Sequence, residues 1–278
     1  MIDVSLLIVH YNTPGLLRQT LKGIYRAAPS VSYEIIVVDN NPNMRVQAMV
    51  EAEFPEVKCL VSDRNIGFGG GMNKAMETAV GRYLFVFNPD MILLPQAVEQ
   101  LLAFMDSHPT VGMVGPQLQN PDGSLQHSAY RFMDPRVILY RRVPFLRSLP
   151  FAKRSVDSYL MVGEDRAKIR DVDYILGAAM FVRRRALEEV GGFDPNFFVY
   201  FEDQDWCRRF WERGWRVVYY PPVKLIHYHR RETAQGGFFK QLLNPLTRIQ
   251  IKSALYYYKK YSHRGHDTRT ELSSHDRT

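Results

Sequence analysis

The chain has 278 residues, 46% hydrophobic, 23% charged and 13% aromatic, a balance that excludes a disordered chain, a collagen and a coiled coil. Two cysteines, Cys59 and Cys207, are too few for a disulfide scaffold and point to a reducing compartment, and no apolar run reaches the ~18 residues that cross a bilayer. The formal charge is +7, and 11 Lys and Arg against 4 Asp and Glu lie from Lys224 onward, so the excess is a property of the tail. The opening MIDVSLLIVHYN carries an acid and no positive region, so it does not read as a signal peptide, and a cytoplasmic protein is expected.

Residues 5–9 (SLLIV) form a short continuous apolar run, the pattern of a strand buried on both faces. A helix over 16–27 follows, with Leu17, Leu21 and Ile24 on one face. Residues 34–39 (EIIVVD) predict a second buried strand, broken by the turn chemistry of 40–43 (NNPN). A helix over 47–53 and a strand over 57–61 come next, then a glycine-rich loop over 67–71 and a helix over 73–80. The strand YLFVF (83–87), a helix over 95–106 and a short strand over 111–115 complete a β-α alternation. Such alternation predicts an α/β fold with a mostly parallel sheet. Residues 131–154 differ. They hold seven basic residues and one acid among apolar side chains, and read either as an interfacial or acceptor-facing loop or as a surface loop packed on the core. Beyond them lie a strand-like stretch over 173–182, a short helix over 186–190, a helix over 202–213 and a last strand over 217–220.

In open α/β sheets, ligands sit at the carboxyl ends of the strands. The first predicted strand ends in His10-Tyr11-Asn12, the second in Asp39-Asn40, the third in Asp63-Arg64-Asn65 and the fourth in Asn88-Pro89-Asp90. Four polar ends in succession point to one cleft. The glycines do not make a dinucleotide fingerprint, because Met72 stands where the last glycine belongs and the run follows the third strand. Asp90 can ligate Mg²⁺ or Mn²⁺, which take oxygen ligands and bind substrate phosphates. Glu202-Asp203-Gln204-Asp205 opens a helix, where acids favour the helix dipole and one can serve as a general base. His227 and His229, two apart on an extended segment, share a face and are candidate metal ligands.

Together these pieces resemble the inverting glycosyltransferases of family 2, and most closely their rhamnosyltransferase-like branch. The matching strings are SLLIVHYN, IIVVDNNP, RNIGFGGGMNKAM, YLFVFNPD, ILGAAMFVRRRALEEVGGFDPNFFVYFEDQDWCRR and GWRVVYYPPVKLIHYH, in the family's order over about residues 3–230. The resemblance implies a Rossmann-like GT-A fold, with a donor half over about 1–115 and an acceptor half over about 116–230. It implies that Asp39 reads a pyrimidine base with Val9 and Tyr11 beside it. Asn65, Gly67 and Asn88 would bind the donor, and Gly177 and Ala178 would line the sugar pocket. Asp90 would be the final acid of the metal motif, here Asn-Pro-Asp in place of Asp-x-Asp, with His227 or His229 as the metal-ligand histidine. Asp203 would be the catalytic base and Glu202 its nearest rival. Asp205 and Arg209 complete the ED-x-D-x-x-x-R pattern, in a structural or acceptor-facing role. The implied donor is a nucleotide-diphosphate sugar, dTDP-rhamnose first and a UDP-sugar second. The implied acceptor is a glycan or a polyprenyl-diphosphate-linked sugar.

The tail over 231–278 interleaves Phe238, Phe239, Leu242, Leu243 and Leu246 with Lys240 and Arg248, and SALYYYKKYSHR follows. This reads as a basic amphipathic segment for an anionic membrane surface, or as aromatics that pack on the core. Nothing in the chain resembles a nucleic-acid motif.

Overall fold

The computed structural model describes residues 1–228 and 244–262. In chain order, the first half holds β1 (Val4–His10), α1 (Pro14–Ala27), β2 (Tyr33–Asp39), α2 (Gln47–Glu53), β3 (Lys58–Val61), α3 (Gly67–Thr78), β4 (Tyr83–Phe87), β5 (Met91–Ile92), α4 (Ala97–Ser107) and β6 (Val111–Gln119). The second half holds β7 (Leu125–Gln126), β8 (Ala129–Tyr130), α5 (Pro135–Arg142), α6 (Pro144–Arg147), α7 (Pro150–Tyr159), β9 (Arg170–Asp171), β10 (Tyr174–Ile175), β11 (Ala179–Arg183), α8 (Arg184–Val190), α9 (Glu202–Glu212), β12 (Arg216–His227) and α10 (Pro245–Lys260).

One sheet runs β3-β2-β1-β4-β11-β6-β12-β5, with β7 and β9 attached to β6 and β12. β3, β2, β1 and β4 are parallel, β11 is inserted antiparallel between β4 and β6, and β12 runs parallel to β6. This is the mostly parallel α/β sheet that the alternation predicts.

Helices cover both faces, so the central strands are apolar throughout. All seven residues of β1 are buried, and they alternate between two cores. Leu6 and Ile8 join α1, α2 and α4 through Leu17, Val50 and Leu101, whereas Leu7 and Val9 join α3 and α9 through Met72 and Phe210.

Several expected boundaries move. Residues 67–71 are not a loop: they form the first turns of α3. The glycines are there for close packing. A Cβ on Gly71 would sit 2.8 Å from Val9, and one on Gly67 (φ +78°) would sit 2.3 Å from the Phe198 carbonyl oxygen. Residues 131–154 fold as three short helices, each opened by a proline. The stretch 173–182 is two strands parted by the turn Leu176-Gly177-Ala178. The last strand extends from the expected 217–220 to the twelve residues of β12. Its register against β6 jumps between Tyr220 and Lys224, where Pro221 and Pro222 donate no ladder hydrogen bonds. Beyond that irregularity β12 pairs with β5 and sets His227 opposite Met91. Cys59 and Cys207 are both free.

The tail aromatics pack inward. Tyr257 and Tyr261 are buried with Phe197 and Phe201 in a third small core. Phe238, Phe239, Lys240, Leu242 and Leu243 lie outside the described residues. No described helix is long and apolar enough to cross a membrane.

Candidate active site

The ends of β1, β2 and β3 form one hydrogen-bonded network. Asp39 is fully buried, and its Oδ2 accepts from the Val46 N–H at 2.8 Å. Its Oδ1 lies 3.3 Å from His10 Nδ1 and accepts from the Asn41 N–H at 3.4 Å. The Thr13 N–H donates to His10 Nε2, so Nε2 is the acceptor nitrogen and Nδ1 carries the proton toward Asp39. Burial lowers the proton affinity of His10, against the opposing pull of Asp39, and favours this neutral tautomer. Asn40 donates to Asn65 Oδ1 and to the Gly67 carbonyl, both at 3.0 Å, and accepts from the Ile66 N–H. Asn65 Oδ1 also accepts from the Gly67 N–H at 2.9 Å. Asp39, Asn65 and Gly67 are therefore held by the protein itself. Val9 is buried against Gly71, and Tyr11 is 47% exposed just past the strand end.

After β4 the pattern changes. The Asn88 N–H donates to the Ala178 carbonyl, which ties the strand end to the Gly177 turn, while Asn88 Oδ1 is buried with no hydrogen-bond partner among the described residues. Thr20 on α1 donates to the carbonyls of Pro89 and Met91 and so holds the bend that carries Asp90. Asp90 Oδ1 is likewise buried with no hydrogen bond, and His227 Nε2 lies 3.3 Å from it. Gln126 explains how the imidazole is set. Its Nε2 donates to the His227 carbonyl and to Asn120 Oδ1, which leaves Oε1 to accept from His227 Nδ1 at 2.9 Å. His227 Nε2 then presents a lone pair beside a carboxylate oxygen. Two acceptors facing each other suit a shared divalent cation, with an outer-shell group orienting the imidazole. The donor set Asp90 and His227 thus fits Mg²⁺ or Mn²⁺ in chemistry, although no group of three or more such ligands occurs among the described residues. His229 lies outside the described residues.

Asp203 sits in the first turn of α9. This helix is anchored by the buried Trp206 and Phe210, and the Trp206 indole N–H donates to the Gly191 carbonyl. The two residues before it, Tyr200 and Phe201, both adopt φ +70°, a conformation rarely seen in bulky side chains and costly to hold. Asp203 is partly exposed. Its Oδ2 accepts from the Gly177 N–H at 3.1 Å and its Oδ1 from the Gln204 N–H at 2.8 Å. A Cβ on Gly177 would lie 3.3 Å from the Asp203 Cβ, so this turn seats the carboxylate closely. Glu202 is buried, and its Oε2 has no hydrogen-bond partner among the described residues.

Burial raises the proton affinity of both carboxyls. For Asp203 the two N–H groups act against that rise, whereas the Asp203 charge pushes Glu202 further up. The environments favour ionisation at Asp203 and a proton at Glu202, which divides base from neutral neighbour.

Asp205, the next acid in the pattern, does not face this site. It is fully buried, with Oδ2 on Arg209 Nε at 2.9 Å and Oδ1 accepting from Lys260 Nζ at 2.6 Å and Tyr261 OH at 2.8 Å. Arg209 also caps the carbonyls of Val190 and Gly192. Of the two roles open to this pair, the structural one is observed: it locks α10 onto α9. Sequence reading missed Gln126 because a lone glutamine 101 residues from its histidine carries no local signal.

The profile of Glycosyltransferase like family 2 matches residues 3–249. Among curated proteins, the N-acetylglucosaminyl-diphospho-decaprenol L-rhamnosyltransferase of Mycobacterium tuberculosis is 26% identical over 250 residues, 84% of this chain and 79% of that protein. Rhamnosyltransferase WbbL of Escherichia coli is 23% identical over 269 residues, 91% of this chain and 92% of that protein. Among solved structures, GalNAc-T7 with UDP, GalNAc and Mn²⁺ aligns with a TM-score of 0.64 at 15% identity. That alignment covers 99% of this chain and 51% of the other, so the chain spans about half its length. S. aureus TarS aligns with a TM-score of 0.56 at 14% identity, covering 96% of this chain and 74% of that one. At these identities the solved structures show a shared fold.

Proposed function

The chain belongs to Glycosyltransferase like family 2 and has the GT-A fold, and from that premise we propose an inverting transfer of a sugar from a nucleotide-diphosphate donor to an acceptor hydroxyl. The donor proposed first is dTDP-rhamnose, because two of the relatives are named as rhamnosyltransferases. The acceptor proposed is a sugar on a lipid-linked or cell-surface glycan precursor. The observation that carries the reading is the Asp203 carboxylate, partly exposed and aimed by the Gly177 and Gln204 N–H groups.

Asp203 takes the proton of the acceptor hydroxyl. The freed oxygen attacks the anomeric carbon from the face opposite the diphosphate, and the carbon–oxygen bond to the diphosphate breaks with its electron pair leaving on the diphosphate. Burial raises the proton affinity of Asp203 and so strengthens it as a base. Its two N–H partners fix its direction while leaving each oxygen a second lone pair. Asp90 and His227 would hold Mg²⁺ or Mn²⁺, whose chemistry when bound is to stabilise negative charge on the leaving diphosphate. Gln126 keeps the His227 imidazole in the tautomer that presents Nε2.

Peripheral membrane association belongs to the same reading. Phe145 is 71% exposed, Leu139 and Phe151 are exposed with it on α5–α7, and Arg154 on α7 is exposed with no ion pair among the described residues, whereas Arg136 and Lys153 are paired with Asp134 and Asp157. Such a surface suits an anionic bilayer that carries the acceptor. Co-sedimentation with anionic vesicles, lost at high salt, is the expected result, and equal recovery with neutral vesicles would overturn it.

The decisive test is thermal stabilisation by dTDP, UDP, GDP and their sugars, each with and without Mn²⁺. A Mn²⁺-dependent shift with dTDP-rhamnose is expected. A shift confined to UDP-sugars would move the donor, and no shift with any nucleotide would leave a non-catalytic relative.

A further inference from the structure

The helix α10 is joined to Asp203 by more than the Asp205 lock. Most of this helix lies beyond residue 249, where the family profile ends, and the transfer chemistry above gives it no part. Its contacts nevertheless reach both flanks of the base.

Ahead of the base, residues 193–201 form a strap held between two helices. On the α3 side, Asn73 exchanges two hydrogen bonds with the Phe193 backbone, and the Phe68 N–H donates to the Phe198 carbonyl at 2.9 Å. On the α10 side, Asp194 accepts from Lys260 at 2.7 Å and from Tyr256 at 3.0 Å. The buried Ser253 hydroxyl donates to the Val199 carbonyl at 3.0 Å. The buried Phe201 ring lies 5.5 Å from Tyr257 and 6.0 Å from Tyr258. Tyr200 and Phe201, the two residues at φ +70°, close the strap, and Phe201 caps α9. The direction in which the chain leaves Phe201 therefore sets where Asp203 stands. Bulky residues keep a positive φ only where their surroundings hold them there.

Behind the base, a chain of hydrogen bonds runs from α10 to the carboxylate itself. The Tyr258 hydroxyl donates to the Met133 carbonyl at 2.8 Å, and the Met133 N–H donates to Gln204 Oε1 at 3.2 Å. The Gln204 N–H then donates to Asp203 Oδ1. The donor-side network of Asp39, Asn40 and Asn65 shares no hydrogen bond with α10 among the described residues.

We propose that α10 positions the base, with Ser253 and Tyr258 as positioning residues that keep the Asp203 carboxylate on the Gly177 N–H. The left-handed pair Tyr200-Phe201 is the element with two states, and α10 favours the one that seats the carboxylate. The coupling is a matter of geometry, whereas its catalytic meaning rests on the transferase reading.

The first readout is amide hydrogen exchange of the full chain without nucleotide or metal. The Gly177 N–H reports the seating of Asp203, and the Val46 N–H, bonded to Asp39, reports the donor side. Ser253→Ala and Tyr258→Phe each remove one hydrogen bond, and each is expected to speed Gly177 exchange by about three- to tenfold with Val46 unchanged. Tyr200→Asn, which tolerates positive φ, is expected to slow Gly177 exchange again in the Ser253→Ala background. The second readout is release of dTDP or UDP from its sugar with water as the acceptor. The variant carrying both Ser253→Ala and Tyr258→Phe is expected to lose about tenfold in kcat, because misplacing a catalytic group by about 1 Å can cost 10²-fold. Its dTDP and UDP affinities in Mn²⁺ should stay within about twofold of wild type. Equal acceleration at Gly177 and Val46 would reduce both residues to general stabilisers and overturn the proposal. So would a kcat within about twofold of wild type in the double variant. If Gly177 exchange responds as expected while the wild type releases nucleotide from neither sugar, the transferase reading falls and the coupling of α10 to Asp203 stands.

Discussion

The two ends of the candidate cleft are built on opposite principles. Where β1, β2 and β3 end, the polar side chains satisfy one another: Asp39 holds two backbone N–H groups and His10, and Asn40 and Asn65 hold the start of α3. Ser62 Oγ is the exception on that side. In the bend after β4, which β5 joins to the end of β12, and at the start of α9, Asn88 Oδ1, Asp90 Oδ1 and Glu202 Oε2 are buried without hydrogen bonds among the described residues. Two consecutive left-handed aromatic residues lie beside them. Each unmet buried group costs about 1–3 kcal/mol. Such costs collect where a ligand or a reaction completes the network, and groups that complete one another build the frame. On this view Asp39 is first a framework residue.

The largest expected effect falls at the unsatisfied end. Asp203→Asn keeps the shape of the side chain and removes the base, so turnover should fall by about 10²–10⁴-fold. Nucleotide affinity, measured by calorimetry, should stay within about twofold of wild type. Near-normal turnover in this variant would take the base away from Asp203. Second comes Asp205→Ala, which leaves Arg209 and Lys260 facing a buried gap. Breaking a buried ion pair on one side costs about 3–5 kcal/mol, so urea unfolding should show a loss of that order, tempered because Lys260 keeps Asp194 at 2.7 Å. A loss below about 1 kcal/mol would mean that α10 is not locked by this pair.

What was legible in the sequence follows the range of the interactions. β1, β2 and β4 were readable because burial on both faces demands an unbroken apolar run, a purely local signal. Asp203 and Asp90 are candidates from sequence because the resemblance rests on short strings that contain them, and their roles stand as proposals. The glycines of α3 read as a loop in the sequence, since the reason for them is Val9 and Phe198, more than fifty residues away in chain position. The role of Asp205 depends on Lys260 and Tyr261, and that of His227 on Gln126 and on a bulge at two prolines. Side chains that meet only through tertiary packing leave no local pattern to read.

The third prediction sets the two ends side by side. Asp39→Ala strips partners from the Val46 N–H and from His10, and should cost about 2–4 kcal/mol on the usual cost per orphaned group. Asp90→Ala removes a carboxylate oxygen that has no hydrogen bond among the described residues, and should leave stability unchanged or slightly higher while abolishing any Mn²⁺-dependent stabilisation by nucleotide. Equal losses in both variants, measured without metal or nucleotide, would erase the distinction between framework and site.

The smallest expected effect concerns Glu202, and its sign can be worked out. An unfolded glutamate titrates near the ordinary value of 4.5, whereas burial, with the Asp203 charge added, pushes Glu202 up to about 8. Between those values the native state binds more protons than the unfolded state. The contribution to stability is therefore fully present below about 4.5 and is lost as pH rises toward 8. Glu202→Gln keeps a neutral side chain of the same length and removes that titration. Its stability should decline less steeply than wild type over this window, by less than one proton in the slope of unfolding free energy against pH. Turnover at neutral pH should survive, because the variant imitates the protonated glutamate and leaves Asp203 with the charge. An unchanged slope would mean that Glu202 is ionised in the native state. The two carboxyls would then share the base role, and the division between an ionised Asp203 and a neutral neighbour would fail.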